Sequence, residues 1–229
     1  TAGHKPKPFL RGIDIRGELA VEGDSGDSEL NLEAVRGHTG LVSLKLESRV
    51  PYRRWFERGT PSRDTLLHHP LSATLVSDGL ELSKLTEFAR VPGLDGRLDL
   101  DAKLTGSVLQ PNLRVDVRGK KLNIDELSRR QGLSGVGHIA YDGSQAELRF
   151  GLSSRFRSLV RARADLNLGM ADALRGDTSR ARANAKLVLD DFALAALPML
   201  RAREVRGRAS GELKLTDLGG PNPQGSLKL

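Results

Sequence analysis

A chain of 229 residues that is 38% hydrophobic but only 4% aromatic can form one long domain or two small ones, with a thin core, because large aromatic side chains contribute the most buried area per residue. The absence of cysteine excludes disulfides, thiol chemistry and cysteine-type zinc sites. A formal charge of +7, with 36 Lys and Arg interspersed among 29 Asp and Glu, implies a solvated charged face and favours anionic partners: phospholipid head groups, lipopolysaccharide or nucleic acid.

Period-two alternation prevails from one end of the chain to the other. Ile13, Ile15, Leu19 and Val21 share one phase, with Gly17 in the gap. After the turn-like "EGDSGDSE" come Leu30 and Leu32, then Val42, Leu44 and Leu46, then Leu71, Ala73 and Leu75. Leu98, Leu100, Ala102 and Leu104 make the clearest strand, followed by Val115 and Val117, Ile139 and Tyr141, and Ala146, Leu148 and Phe150. Val160 to Leu168 and Ala181 to Leu189 repeat the pattern, and Leu213, Leu215, Leu227 and Leu229 end it. Asp, Arg, Lys, Ser and Glu fill the intervening positions, as in antiparallel strands with one dry face and one wet face.

Helical signals are short. "LSKLTEFAR" (Leu82 to Arg90) has Ser83 as an N-cap and Pro92 beyond its end, and "IDELSRRQG" (Ile124 to Gly132) and "FALAALPML" (Phe192 to Leu200) predict a turn or two each. The last is the longest apolar run, far below the roughly 20 residues of a spanning helix. No signal peptide is visible. Residues 50–70, with the single Trp55, read as a long irregular insertion. Leu227-Lys228-Leu229 stops inside a strand-like pattern, so residues 1–229 read as one repeat-built segment of a longer protein.

A unit recurs: helical piece, Gly, strand, Gly/Pro turn, strand. Gly207 takes the place of Gly96, Lys214-Leu215-Thr216 that of Lys103-Leu104-Thr105, and Pro223 that of Pro111 with one inserted residue. A weaker copy sets Gly135 in the place of Gly96, and Leu85, Leu127 and Leu197 hold similar places before each copy. Such units stack because one alone cannot bury its apolar face.

The pattern L-x-x-L … G-L-x-G-R-L-x-L-x-x-K-L-T-G-x-x-x-x-P-x-L-x-V-x-V resembles the repeats of the TamB family within the AsmA-like superfamily, over Asp78 to Leu122 and again over Asp190 to Leu229. The resemblance implies an all-β fold: an elongated, curled antiparallel sheet of repeated strand units, a β-taco-like open groove with short helical turns. It further implies a protein of the Gram-negative periplasm and cell envelope, held by an inner-membrane anchor that this chain lacks. The implied roles are movement of phospholipid between the membranes and work with an outer-membrane assembly partner of the TamA/BamA type.

The chemistry of the residues fits a conduit. An acyl tail exposed to water costs about 0.8 kcal/mol per CH₂, so a 16-carbon chain crossing water alone faces roughly 13 kcal/mol. Continuous apolar lining without a trapping site removes that barrier. The lining expected here is Ile13, Ile15, Leu98, Leu100, Leu104, Val115, Val117, Ile139, Leu148, Phe150, Leu166, Leu168, Leu187, Leu189, Leu213 and Leu215. An ordinary sandwich core uses the same alternation; the repeat and the scarcity of bulky aromatics favour a groove. A scaffold that pairs its strand edges with outer-membrane protein strands, or a plain β-sandwich binding module, are the other readings.

No catalytic, metal or cofactor site is expected. "GVGHIA" (Gly135 to Ala140) has a dinucleotide-like spacing but no strand-to-helix context, and reads as a turn. Asp99 and Asp101 read as a solvated face, "DSGDSE" as a hairpin turn without full Ca²⁺-ligand spacing, and His68-His69 as a loop pair. The arginines of Arg155–Arg163 and Arg201–Arg208 read as solvated. A sharper reading sets Arg161, Arg163, Arg206 and Arg208 against anionic head groups at the groove rim. Nucleic acid is not an expected partner, since stacking aromatics are scarce.

Overall fold

In a computed structural model, residues 13–22, 26–36, 39–49, 62, 65, 67–82, 94–124, 132–155, 157–196 and 203–229 are described. Twelve strands form: β1 (Asp14–Val21), β2 (Asp27–Arg36), β3 (Thr39–Arg49), β4 (Leu71–Glu81), β5 (Leu94–Gly106), β6 (Pro111–Ile124), β7 (Leu133–Tyr141), β8 (Gln145–Ser153), β9 (Ser158–Asn167), β10 (Arg182–Ala193), β11 (Arg208–Leu218) and β12 (Gln224–Lys228). They lie in one antiparallel sheet in chain order, open at β1 and β12. A five-residue helix, α1 (Met170–Leu174), and a 3₁₀ turn (Leu194–Ala196) are the other regular elements among the described residues. The all-β, few-helix expectation is met.

The punctuation explains the meander. Pro111 opens β6 and Pro223 immediately precedes β12, positions where a missing N–H costs the ladder nothing. Gly96 lies two residues into β5 and Gly207 just before β11, with φ of 129° and 121°, a region closed to other residues. Gly135 departs from this pattern. It lies inside β7 between Gly119 and Leu152. The whole "GVGHIA" stretch is strand, not the expected turn, because its alternate residues continue the ladder from Val117 to Phe150.

Three strands running in the same direction, β4, β6 and β10, bulge near their ends. The register slips between Ser77 and Leu80, between Gly119 and Leu122, and between Leu189 and Phe192. Each bulge contains a residue with positive φ: Gly79 (67°), Lys121 (51°) and Asp191 (49°). The extra residue flips the phase, so Leu80, Leu122 and Phe192 stay on the apolar face. Phe192 and Ala193 therefore belong to β10, and the helical reading of "FALAALPML" holds only for Leu194–Ala196 among the described residues. The expected turns at residues 83–90 and 125–131 and most of the insertion at 50–70 lie outside the described residues.

Past the bulges apolar side chains pack into a small core. Leu133 is fully buried and packs in a cluster with Leu82, Leu122, Leu152, Leu159, Val160 and Phe192. Leu122 fills the space left by two glycines: a Cβ on Gly119 would come within 2.6 Å of its Cδ1, and one on Gly135 within 3.2 Å.

Leu133→Ala should cost about 2–5 kcal/mol, since a fully enclosed side chain leaves a cavity. Gly96→Ala and Gly207→Ala both strain the backbone, by about 1–3 kcal/mol. Only Gly96 would also press a Cβ to 2.9 Å from Leu122 Cα, whereas nothing lies within 4 Å at Gly207. Denaturant melts should rank Gly96→Ala as the more damaging of the two; the reverse order would contradict this packing.

Candidate functional site

Register builds the site. Residues directly opposite in an antiparallel pair share a face, so the pairing carries one row across the sheet. From Gly17 the row runs through Leu32, Leu44, Leu75, Ala102, Val115, Ile139, Leu148, Ala164, Ala185 and Leu215 to Gly225. No polar side chain interrupts it. The neighbouring rows add Leu100, Val117, Phe150, Ala162, Leu187, Leu213 and Leu227 on one side, and Leu19, Leu30, Leu46, Leu104, Leu113, Tyr141 and Leu166 on the other. At about 4.8 Å per strand the face is roughly 50 Å wide.

No second layer covers this face among the described residues; each strand packs mainly on its sheet neighbours. Phe150 remains 43% exposed in the middle of the sheet, and Ile15 and Leu227 reach 65% and 62% at its edges. The face carries no charge among the described strand residues. Its hydroxyls bond inward: Ser77 Oγ donates to Leu41 O (2.5 Å), Ser28 Oγ to Ser48 O (2.9 Å), and Tyr141 OH to Leu168 O (2.9 Å).

Fourteen of the sixteen expected lining residues lie on this face, Leu98 and Leu189 at its packed end. The other two flank the strands. Ile13 precedes the first paired residue, Asp14. Leu168 follows β9, its N–H donating to Ser144 O (2.9 Å) in the register that pairs Gln145 with Asn167. Sequence reading missed Leu80, Leu122 and Phe192, whose phase is hidden by the bulges and for which Asp78-Gly79, Lys120-Lys121 and Asp190-Asp191 were the available signal, and also Leu133 and Leu152, which simply extend the alternation of β7 and β8.

The four candidate head-group arginines fall in three settings. Arg161 and Arg163 project from the opposite, wet face of β9, because their neighbours Val160, Ala162 and Ala164 occupy the apolar one. Arg163 pairs with Glu147 (3.2 Å). Arg208 is held by Asp191 at the β10 bulge, its guanidinium donating to the carboxylate and to Asp191 O (2.5 Å). Arg206 is exposed in the β10–β11 connection.

The wet face is a lattice of exposed ion pairs, each worth little alone. Lys45 bridges Glu29 (3.2 Å) and Glu47 (2.8 Å), and Lys186 meets Glu212 (3.0 Å). Asp99 accepts from Gly79 N–H (2.9 Å) and pairs with Lys120 (2.7 Å), whose bond holds its carboxyl below the ordinary value. Asp116 binds His138 Nδ1 (2.8 Å) and Arg114 (2.9 Å); the His138 bond chiefly, then that to Arg114, likewise lowers it. No cluster suited to a metal occurs among the described residues, nor any helix long and apolar enough to cross a membrane. Compared with family models, with curated proteins and with solved structures, the chain matches none.

The pH dependence follows from the lowered carboxyls. A carboxyl depressed in the folded state contributes stability that is present above its unfolded value, 3.8 for Asp, and is lost as pH falls through the folded one. The melting temperature should therefore drop as pH is lowered past about 4, and Asp116→Asn should shallow that drop. A melting temperature that holds or rises in acid would contradict these pairings.

Proposed function

We propose that this chain is a non-catalytic segment of a periplasm-spanning envelope protein of the TamB or AsmA-like kind, whose apolar face carries phospholipid acyl chains between the inner and outer membranes. The observation that supports it is the uncharged apolar surface running unbroken through twelve strands, with no covering layer among the described residues. A sandwich core would need a second sheet over this face. A stepwise carrier needs what is present: equivalent Leu, Val, Ile and Ala contacts from strand to strand, so that a chain sliding across them meets no deep well and no charge. The head group stays in water while the tail is shielded, which removes most of the roughly 13 kcal/mol opposing a bare 16-carbon tail.

A second reading rests on the sheet's edges. Every residue of β1 and of β12 is exposed, and the two are the outermost strands among the described residues. Such edges accept a further strand by β-augmentation, which supports a scaffold for outer-membrane protein strands working with a TamA/BamA-type partner.

Photo-crosslinking residues at positions 100 and 115, on the apolar face, should capture phospholipid in cells, and those at 99 and 116, on the wet face, should not. Leu100→Asp should abolish lipid capture while the purified chain keeps its β spectrum, because an open face can hydrate the new charge. Equal crosslinking at 99 and 100, or an unfolded Leu100→Asp chain, would overturn the carrier. Crosslinks to nascent outer-membrane proteins at β1 or β12, without lipid at 100, would favour the scaffold.

A further inference from the structure

The wet face is electrically divided. Strands β1–β5 contain eleven Asp and Glu against six Lys and Arg. Strands β6–β12 contain seven against twelve. The sheet is thus acidic at one end and basic at the other along its stacking direction, a division that the overall +7 conceals.

Within the basic half the register aligns like charges. Arg149 lies opposite Arg163, Arg163 opposite Lys186, and Lys186 opposite Lys214. Four consecutive strands, β8 to β11, each present a cationic side chain in one row, about 4.8 Å apart. Like charges directly opposite destabilise a sheet. Glu147, Asp165 and Glu212 offset part of the repulsion. Arg149, Arg163 and Lys186 nevertheless keep more than half of their side-chain surface in water. Further cations flank the row on the same face: Arg114 and Arg118 on β6, and Arg161 on β9.

We propose that the polar face of β6–β12 docks on an anionic bilayer surface, with the acidic β1–β5 end held away from it. Cations spread in two dimensions over a sheet face complement a planar array of phosphates. A single-stranded nucleic acid would need stacking side chains, and the aromatic residues of these strands, Tyr141, Phe150 and Phe192, all lie on the opposite, apolar face. Docked in this way, the apolar face points away from the surface and remains accessible. The acidic end is repelled, so the charge division sets an orientation as well as an affinity.

The test is co-sedimentation of the purified chain with phosphatidylcholine vesicles, with and without phosphatidylglycerol. Binding should require phosphatidylglycerol and weaken from low to physiological salt. Each basic residue near an anionic surface contributes about five-fold in binding, so the triple variant Arg149→Gln, Lys186→Gln, Lys214→Gln should bind roughly 100-fold more weakly. Its melting temperature should not fall, because neutralisation removes cross-strand repulsion. Glu18→Gln on the acidic β1 should bind at least as well as the unmodified chain. Equal binding to vesicles lacking phosphatidylglycerol would mean attachment through the apolar face and overturn the proposal. So would undiminished binding by the triple variant, or binding of oligonucleotides but not of vesicles. Leu100→Asp separates this from lipid carriage: it should abolish acyl-chain capture and leave vesicle binding unchanged.

Discussion

The structure depends on strand register. A strand shows alternate residues to opposite faces, so a slip of one position would bring every Leu and Val of that strand among the charges and every Asp and Arg onto the apolar face. Across eleven pairings no such slip occurs over the middle of the sheet. Short turns help to fix it. Pro111 opens β6 after a tight connection from Gly106, and Asp142 accepts the N–H groups of Ser144 and Gln145 between β7 and β8. The result is a long sheet whose two faces differ as sharply as oil and water, although no side chain on the apolar face is larger than those of an ordinary core.

One end of that face is closed and the rest is open, and the bulges cause the difference. At Gly79, Lys121 and Asp191 the backbone takes one extra step with positive φ; beyond the last two, Leu122 and Phe192 turn into the cluster around Leu133. The polar residues of these bulges are also tethered. Asp191 N–H donates to Ser210 Oγ (2.8 Å), and its carboxylate holds Arg157 and Arg208. A rigid packed margin therefore supports an uncovered surface, which would otherwise depend on single-layer hydrogen bonding alone.

Most of this was legible in the sequence. Period two placed the strands in their observed order and phase, and Pro111, Pro223, Gly96 and Gly207 marked the strand ends as expected. What escaped notice had a physical cause. Bulges break the period where Leu122 and Phe192 enter the core, so simple alternation assigned no face to them. "GVGHIA" was read as a turn because its dinucleotide-like spacing had no strand-to-helix context, yet it is strand, and Gly135 leaves room there for the Leu122 side chain. The wet-face arginines could be counted but not placed. Only the register shows that Arg149, Arg163, Lys186 and Lys214 stand in one row, or that Arg208 is committed to Asp191.

The central claim is that the apolar face is open to acyl chains and not hidden beneath another layer. Spin labels placed one at a time along β5 and β6, from 99 to 104 and from 113 to 117, measure this most directly through collision with a water-soluble relaxing agent. Without lipid, labels on both faces should be reached by the agent. On addition of phospholipid, labels at 100, 102, 104, 113, 115 and 117 should lose that access, while those at 99, 101, 103, 114 and 116 keep it. Labels at the first set that are already shielded without lipid, or that stay accessible with it, would contradict the account.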